Sequence, residues 1–117
     1  MVAEDNPANS QTFCNYLESR GFRLLLAKDG LEAIALAKAQ NPALILMDIQ
    51  MPKMDGLEAT RHIRADRQIS HIPIVALTGL AMPGDREKCL EAGANEYLAK
   101  PVRLKHLLST IQQFLEN

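Results

Sequence analysis

The sequence predicts a doubly wound α/β fold, a (βα)5 arrangement whose five-stranded parallel sheet runs in the order 2-1-3-4-5. Three observations lead there. Short apolar runs alternate with amphipathic segments five times within 117 residues. The second, third and fourth runs are continuously apolar, as strands covered on both faces must be. Crossovers between parallel strands are right-handed almost without exception, so few topologies remain at this length. In that order the switch point lies between the first and third strands, where ligands bind at carboxyl ends.

Each element has a local reason. "MVA" opens the chain as a short first strand, and the polar turn "EDNPAN" follows it. A helix fits Ala8 to Arg20, with Phe13, Tyr16 and Leu17 on one side and Gly21 as its stop. "FRLLLA" reads as the second strand. The alanine-rich helix "GLEAIALAKAQN" comes next, with Leu31, Ile34 and Ala35 spaced for one face. "ALILMD" is the third strand. The helix from Leu57 to Ala65 is expected to show Arg61 and Arg64 to water. "IPIVALT" is the fourth strand, opened by a proline that suits a strand's first residues. "MPGDREKCLEAG" holds a fourth helix ended by Gly93, and "EYLA" is a brief fifth strand. In the last helix Leu104, Leu107, Leu108, Ile111, Phe114 and Leu115 form one apolar stripe. Residues 1–117 are expected to form one domain, since no linker, repeat or low-complexity tract interrupts the pattern.

Composition narrows the function. Hydrophobic residues make up 47% of the chain, too many for disorder. The net charge is −1 and the lysines and arginines are scattered, so no basic stripe for nucleic acid is expected. No apolar run approaches the length of a membrane span and no signal peptide opens the sequence. Membrane contact by this domain is therefore not expected. Cys14 and Cys89 stand singly inside helical patterns and read as core residues. The setting they imply is cytoplasmic, or the cytoplasmic side of a larger membrane-associated protein. His62, His71 and His106 read as surface residues with no metal-site spacing.

One stretch demands more than a packing account. In "LILMDIQMPKMDG" the third strand ends on a carboxylate, Asp48, with Pro52 and Gly56 shaping the loop behind it. The first strand ends at Glu4 and Asp5, so the topology brings three acids to one rim. Thr78 ends the fourth strand and Lys100 the fifth. Two like charges about 4 Å apart repel by roughly 4 kcal/mol at a surface-like effective dielectric. A hard divalent ion removes that conflict. Mg²⁺ takes oxygen ligands and favours one or two carboxylates plus phosphate oxygens. With Mg²⁺ and the Lys100 ammonium present, the formal charge of the cluster cancels. The chemistry this suggests is phosphoryl transfer to Asp48, giving an aspartyl phosphate. Mg²⁺, Lys100 and the Thr78 hydroxyl would each take one equatorial oxygen.

The acidic pair "ED", "MDIQMPKMDG", "ALTG" and "YLAKP", in that order and spacing, resemble the receiver domain of two-component response regulators, the CheY-like member of the flavodoxin-like folds. The resemblance covers nearly the whole chain. It implies Asp48 as phosphoacceptor and Glu4, Asp5, Asp48 and the Gln50 carbonyl as Mg²⁺ ligands. It further implies Thr78 as the switch hydroxyl, Lys100 as its charged partner and Tyr97 as the rotating aromatic. Gln50 and Leu80 stand where similar domains tune dephosphorylation. The implied partners are a histidine kinase or a histidine phosphotransfer domain, with an unidentified downstream effector docking between Pro83 and Leu115. "MDIQMPKMDGLEATRHIR" and the "KP" ending are closest to receivers of hybrid histidine kinases or phosphorelays. Such a domain catalyses its own phosphorylation and dephosphorylation without turning over an independent substrate.

The short first strand departs from the pattern, because a central strand needs ladder partners. No output module follows the last helix, so a separate effector is the expectation. Three rivals remain. A flavodoxin-like cofactor binder would need a Ser, Thr or Gly-rich phosphate loop where "EDNPAN" stands. An aspartyl-phosphate phosphatase would need a second acid at the Gln50 position. A degenerate receiver that acts only as an interaction module would lack part of the five-residue pocket.

Overall fold

The computed structural model describes residues 1–79 and 83–115. The apolar runs form five strands, β1 (Val2–Ala3), β2 (Leu26–Ala27), β3 (Ile45–Asp48), β4 (Ile74–Thr78) and β5 (Glu96–Ala99). Helices α1 (Pro7–Ser19), α2 (Gly30–Gln40), α3 (Gly56–Ala65), α4 (Asp85–Ala92) and α5 (Leu104–Leu115) follow them in turn. All neighbouring strands pair in parallel in the order β2-β1-β3-β4-β5, as expected from the alternation. Crossovers put helices on both faces. Phe13, Cys14 and Leu17 of α1 pack with Leu107 and Ile111 of α5 on one side. Ala33 and Ala37 of α2, Ala59 and Ile63 of α3 and Cys89 of α4 pack on the other.

The helices start where the chain supplies acceptors for their unpaired N–H groups. Asn6 caps α1 through Ala8 and Asn9, with Pro7 inside the first turn. Asp29 and Asp55 cap α2 and α3 through the amides of Glu32 and Glu58. Gly93 ends α4 in the left-handed region at φ +117°, as a stop glycine should.

Three expectations about these elements need correction. The second strand is not Phe22–Ala27: only Leu26 and Ala27 pair, because β1 offers only Val2 and Ala3 opposite them. On α2 the buried face is Ala33 and Ala37, while Leu31 is 52% exposed and Ala35 faces outward. Small side chains let α2 approach the sheet. Finally, Arg64 is not displayed to water. Its Nε donates to Gly93 O at 2.8 Å, Nη1 to Ser70 O and Ile72 O, and Nη2 to Asn95 Oδ1 at 2.7 Å. Asn95 Oδ1 also accepts from the Ile74 amide, so the guanidinium ties α3 to the entrances of β4 and β5.

Met1 lies at the same end of the sheet, at the start of the interior strand β1. Its terminal ammonium is buried and donates to Leu44 O at 2.7 Å, and burial pushes its pKa down to about 6.

Hydrogen bonds from a charged donor contribute roughly 1.5–3 kcal/mol each and are not additive. Arg64→Ala leaves several carbonyls without their donor. Urea unfolding is expected to show a loss of about 2–4 kcal/mol; a change within about 0.5 kcal/mol would mean that the clamp is redundant.

Candidate active site

Parallel pairing sets which side chains meet. Val2 and Ala3 pair with Leu46 and Met47, so the residues just beyond, Glu4 and Asp48, leave the sheet side by side. Both are buried, Glu4 at 3% and Asp48 at 2% exposure, while Asp5 is exposed. Ligand oxygens from Glu4, Asp5 and Asp48 lie within 4.8 Å of one another. β5 is two strands from β3, yet Lys100 spans the gap. Its Nζ donates to Asp48 Oδ2 at 2.9 Å and to Glu4 Oε1 at 3.0 Å. Gly79, at the end of β4, lies beneath this reach, since even an added Cβ would stand only 3.9 Å from the lysine stem. The Lys100–Pro101 peptide bond is cis.

The loop after β3 holds the acid from behind. The Gln50 amide donates to Asp48 Oδ1 at 3.0 Å. The Gly56 amide returns to Ile49 O at 2.9 Å, and a Cβ on Gly56 would stand 2.2 Å from Asp48 O. Glycine is thus required there by space, and Met54 N–H donates to Pro52 O inside the same loop.

Charge explains the titration behaviour. Burial and the adjacent Asp48 push the Glu4 carboxyl up to about 7, against hydrogen bonds from Lys100 and Asn9. For Lys100, burial alone would lower the pKa, but its bonds to Asp48 and Glu4 outweigh this and raise it. Glu4 Oε2 is buried and, among the described residues, has no hydrogen-bond partner. An unpartnered buried carboxylate oxygen is costly. The carboxylates of Glu4, Asp5 and Asp48 together make a set of hard oxygen donors that suits a divalent cation.

The structure brings Glu4, Asp5, Asp48, Gln50 and Lys100 to one crevice. Thr78 is buried at the end of β4 and lines a small cavity of about 160 Å³ with Gln50, Leu57 and Cys89. Tyr97 pairs with Ala76 across the sheet and is half-buried against the core beside α4. Leu80 lies outside the described residues. Sequence reasoning missed Asn9, whose Nδ2 donates to Glu4 Oε1 at 2.9 Å. The signal available was its place one turn into a helix capped by Asn6, directly after the acid pair. His62, His71 and His106 are exposed, and both cysteines are buried and free. No described helix is long and apolar enough to cross a membrane.

A doubly wound sheet with an acidic crevice at its switch point, bridged by one lysine, defines a class of α/β domain whose site lies at the carboxyl ends of the strands. Comparison with known proteins narrows it. Residues 1–112 match the sequence profile of the response regulator receiver domain. The polar-differentiation response regulator DivK of Brucella ovis is 39% identical over 115 residues, covering 98% of this chain and 94% of that protein. Among solved structures, the receiver domain of the sensor histidine kinase PA1611 from Pseudomonas aeruginosa superposes with a TM-score of 0.92. It is 43% identical over 99% of this chain and 95% of its own, and has a magnesium ion coordinated in its active site cleft. The chemotaxis protein CheY4 of Vibrio cholerae gives a TM-score of 0.90 at 31% identity, over 97% and 95% of the two chains. The chain belongs to the response regulator receiver family, with the CheY-like fold and the two-component signalling role of that family.

The raised Glu4 pKa has a consequence for stability. The folded chain keeps the Glu4 proton up to about pH 7, whereas the unfolded chain releases it near 4.5. Between those values the folded state binds more protons, so this group lowers stability as pH rises. In EDTA at pH 8, Glu4→Gln is expected to stabilise the protein by about 2 kcal/mol. The gain should fall to about a quarter of that at pH 5 and vanish below about pH 4. Chemical unfolding at the two pH values checks this, and equal effects at both would refute it.

Proposed function

We propose that this chain is a phosphoacceptor. Asp48 takes a phosphoryl group from the phosphohistidine of a histidine kinase or histidine phosphotransfer domain, and the α4-β5-α5 surface reports the change. The single observation that carries this reading is the buried Asp48 carboxylate held between the Lys100 ammonium and the Gln50 amide, inside a three-acid cluster. An acid so placed is oriented for attack, and its charge is balanced from both sides.

Glu4, Asp5, Asp48 and the Gln50 carbonyl are the residues that would hold Mg²⁺. When bound, the ion supplies neutralisation of charge on the phosphoryl oxygens. The step itself is a displacement. One Asp48 oxygen forms a bond to phosphorus while the phosphorus–nitrogen bond to the donor imidazole breaks, and that nitrogen keeps the electron pair and takes up a proton. Lys100, already 2.9 Å from Asp48 Oδ2, follows the charge onto a phosphoryl oxygen. Asp48 then carries a dianionic group where it had a single charge, and Thr78 turns its hydroxyl toward the new oxygens. The small cavity beneath Thr78 reaches Asp85, Lys88 and Cys89 of α4, so this motion is felt by the helix. Tyr97 turns inward beside it. Such a two-state surface is what a phosphorylation switch requires.

Gln50 has no proton to give or take, which disfavours rapid phosphatase turnover at this site. The identity to the receiver of a sensor histidine kinase favours a domain carried by, or working beside, such a kinase.

Incubation with acetyl phosphate and Mg²⁺ is expected to add one phosphoryl unit to the intact mass. Asp48→Asn should abolish the addition, and undiminished labelling would refute the acceptor assignment. Lys100→Ala should still be labelled, but without the change in α4-β5-α5 amide shifts seen for the wild type. Shift changes of wild-type size in Lys100→Ala would remove Lys100 from the relay.

A further inference from the structure

The two oxygens of Glu4 are held unequally. Oε1 accepts two hydrogen bonds, from Asn9 Nδ2 at 2.9 Å and from Lys100 Nζ at 3.0 Å. Oε2 is buried and, among the described residues, accepts none. An ionised carboxylate has about four lone-pair sites, two on each oxygen. The two donors therefore use both sites of Oε1 and neither site of Oε2. Lys100 divides its ammonium between Glu4 and Asp48. Among the described hydrogen bonds, the Asn9 side-chain amide serves Glu4 alone. Asn9 is the third residue of α1, and its backbone amide donates to the cap, Asn6 Oδ1, at 3.2 Å. Side chains at that position turn back toward the start of their helix. Here the side chain passes the cap and reaches the acid before it.

Given the divalent-cation site proposed above, we propose that Asn9 sets its ion specificity. By keeping Glu4 Oε1 filled, Asn9 lets the carboxylate offer a cation one oxygen, Oε2, and not both. That restriction separates two common hard ions. Mg²⁺ is small, demands octahedral geometry and is bound through one or two carboxylates. Ca²⁺ takes about six to eight oxygens and accepts both oxygens of one carboxylate. Removal of the Asn9 amide releases a lone-pair site on Oε1 beside the two on Oε2. The carboxylate can then hold a larger ion with both oxygens. Asn9 itself touches no cation; it acts through Glu4, as a positioning residue.

The test is calorimetric titration of the full chain with Mg²⁺ and, separately, with Ca²⁺, for the wild type, Asn9→Ala and Asn9→Leu. Asn9 is half-buried, and alanine and leucine are both good helix formers, so both variants are expected to keep the fold. Leucine also fills the place of the lost amide and keeps water from replacing it. Mg²⁺ binding is expected to weaken about tenfold in both variants. Ca²⁺ binding should weaken far less or improve, so the ratio of the two dissociation constants moves toward Ca²⁺ by about fivefold or more. Mere loosening of the helix would weaken both ions alike and leave that ratio in place. An unchanged ratio in either variant would overturn the role of Asn9 and leave the cation site standing. Absence of saturable Mg²⁺ heat in the wild type would overturn the site, and this role with it.

Discussion

One ammonium group organises the chemistry of this domain. Lys100 Nζ sits 3.0 Å from Glu4 and 2.9 Å from Asp48, two carboxylates that adjoining strands bring together almost without solvent. Neither acid would tolerate the other alone at such burial, and the upward shift of the Glu4 pKa to about 7 measures the conflict that remains. The lysine relieves part of it, and a divalent ion ligated by the same oxygens would relieve the rest. The topology follows from this requirement. β1 and β3 are neighbours, and β5 ends at the same rim, within reach of the Lys100 side chain. The charge that Lys100 leaves unbalanced is what a bound divalent cation would offset.

A second cation plays a different part at the far end of the sheet. Arg64 has no carboxylate partner among the described hydrogen bonds and spends its donors on three carbonyls and the Asn95 amide oxygen. It fixes the entrances of β4 and β5, the strands whose other ends deliver Thr78 and Lys100. Gly93 fits the same arrangement, since a Cβ there would press on the Arg64 stem at 2.4 Å. Stability at one end and reactivity at the other are thus assigned to different charged groups. This division lets the acid crevice remain strained without loosening the fold.

Much of this was legible in the amino-acid order, for identifiable reasons. Strands buried on both faces must be apolar, so a carboxylate or an ammonium at their ends stands out, and Asp48, Lys100 and the Glu4–Asp5 pair could be placed on one rim from topology alone. The rest was hidden by weaker signals. In α2, alanine at many positions gives little contrast between faces, so the phase that buries Ala33 and Ala37 could not be told from one that buries Leu31. "FRLLLA", apolar but for Arg23, looked like strand throughout, but a strand exists only where a neighbour pairs with it, and β1 supplies two residues. Arg64 looked solvated because an arginine's partners here are main-chain oxygens, which every sequence contains. Asn9 was missed because its partner Glu4 lies across a turn whose shape only the cap at Asn6 reveals.

The central claim is that these carboxylates form a divalent-cation site whose charge Lys100 shares but does not create. Calorimetric titration with Mg²⁺ tests it most directly, on the wild type and on the Asp48→Asn and Lys100→Ala variants. The account predicts one saturable site, strongly weakened in Asp48→Asn and kept in Lys100→Ala. No saturable heat in the wild type, or loss of binding with Lys100 instead of Asp48, would contradict it.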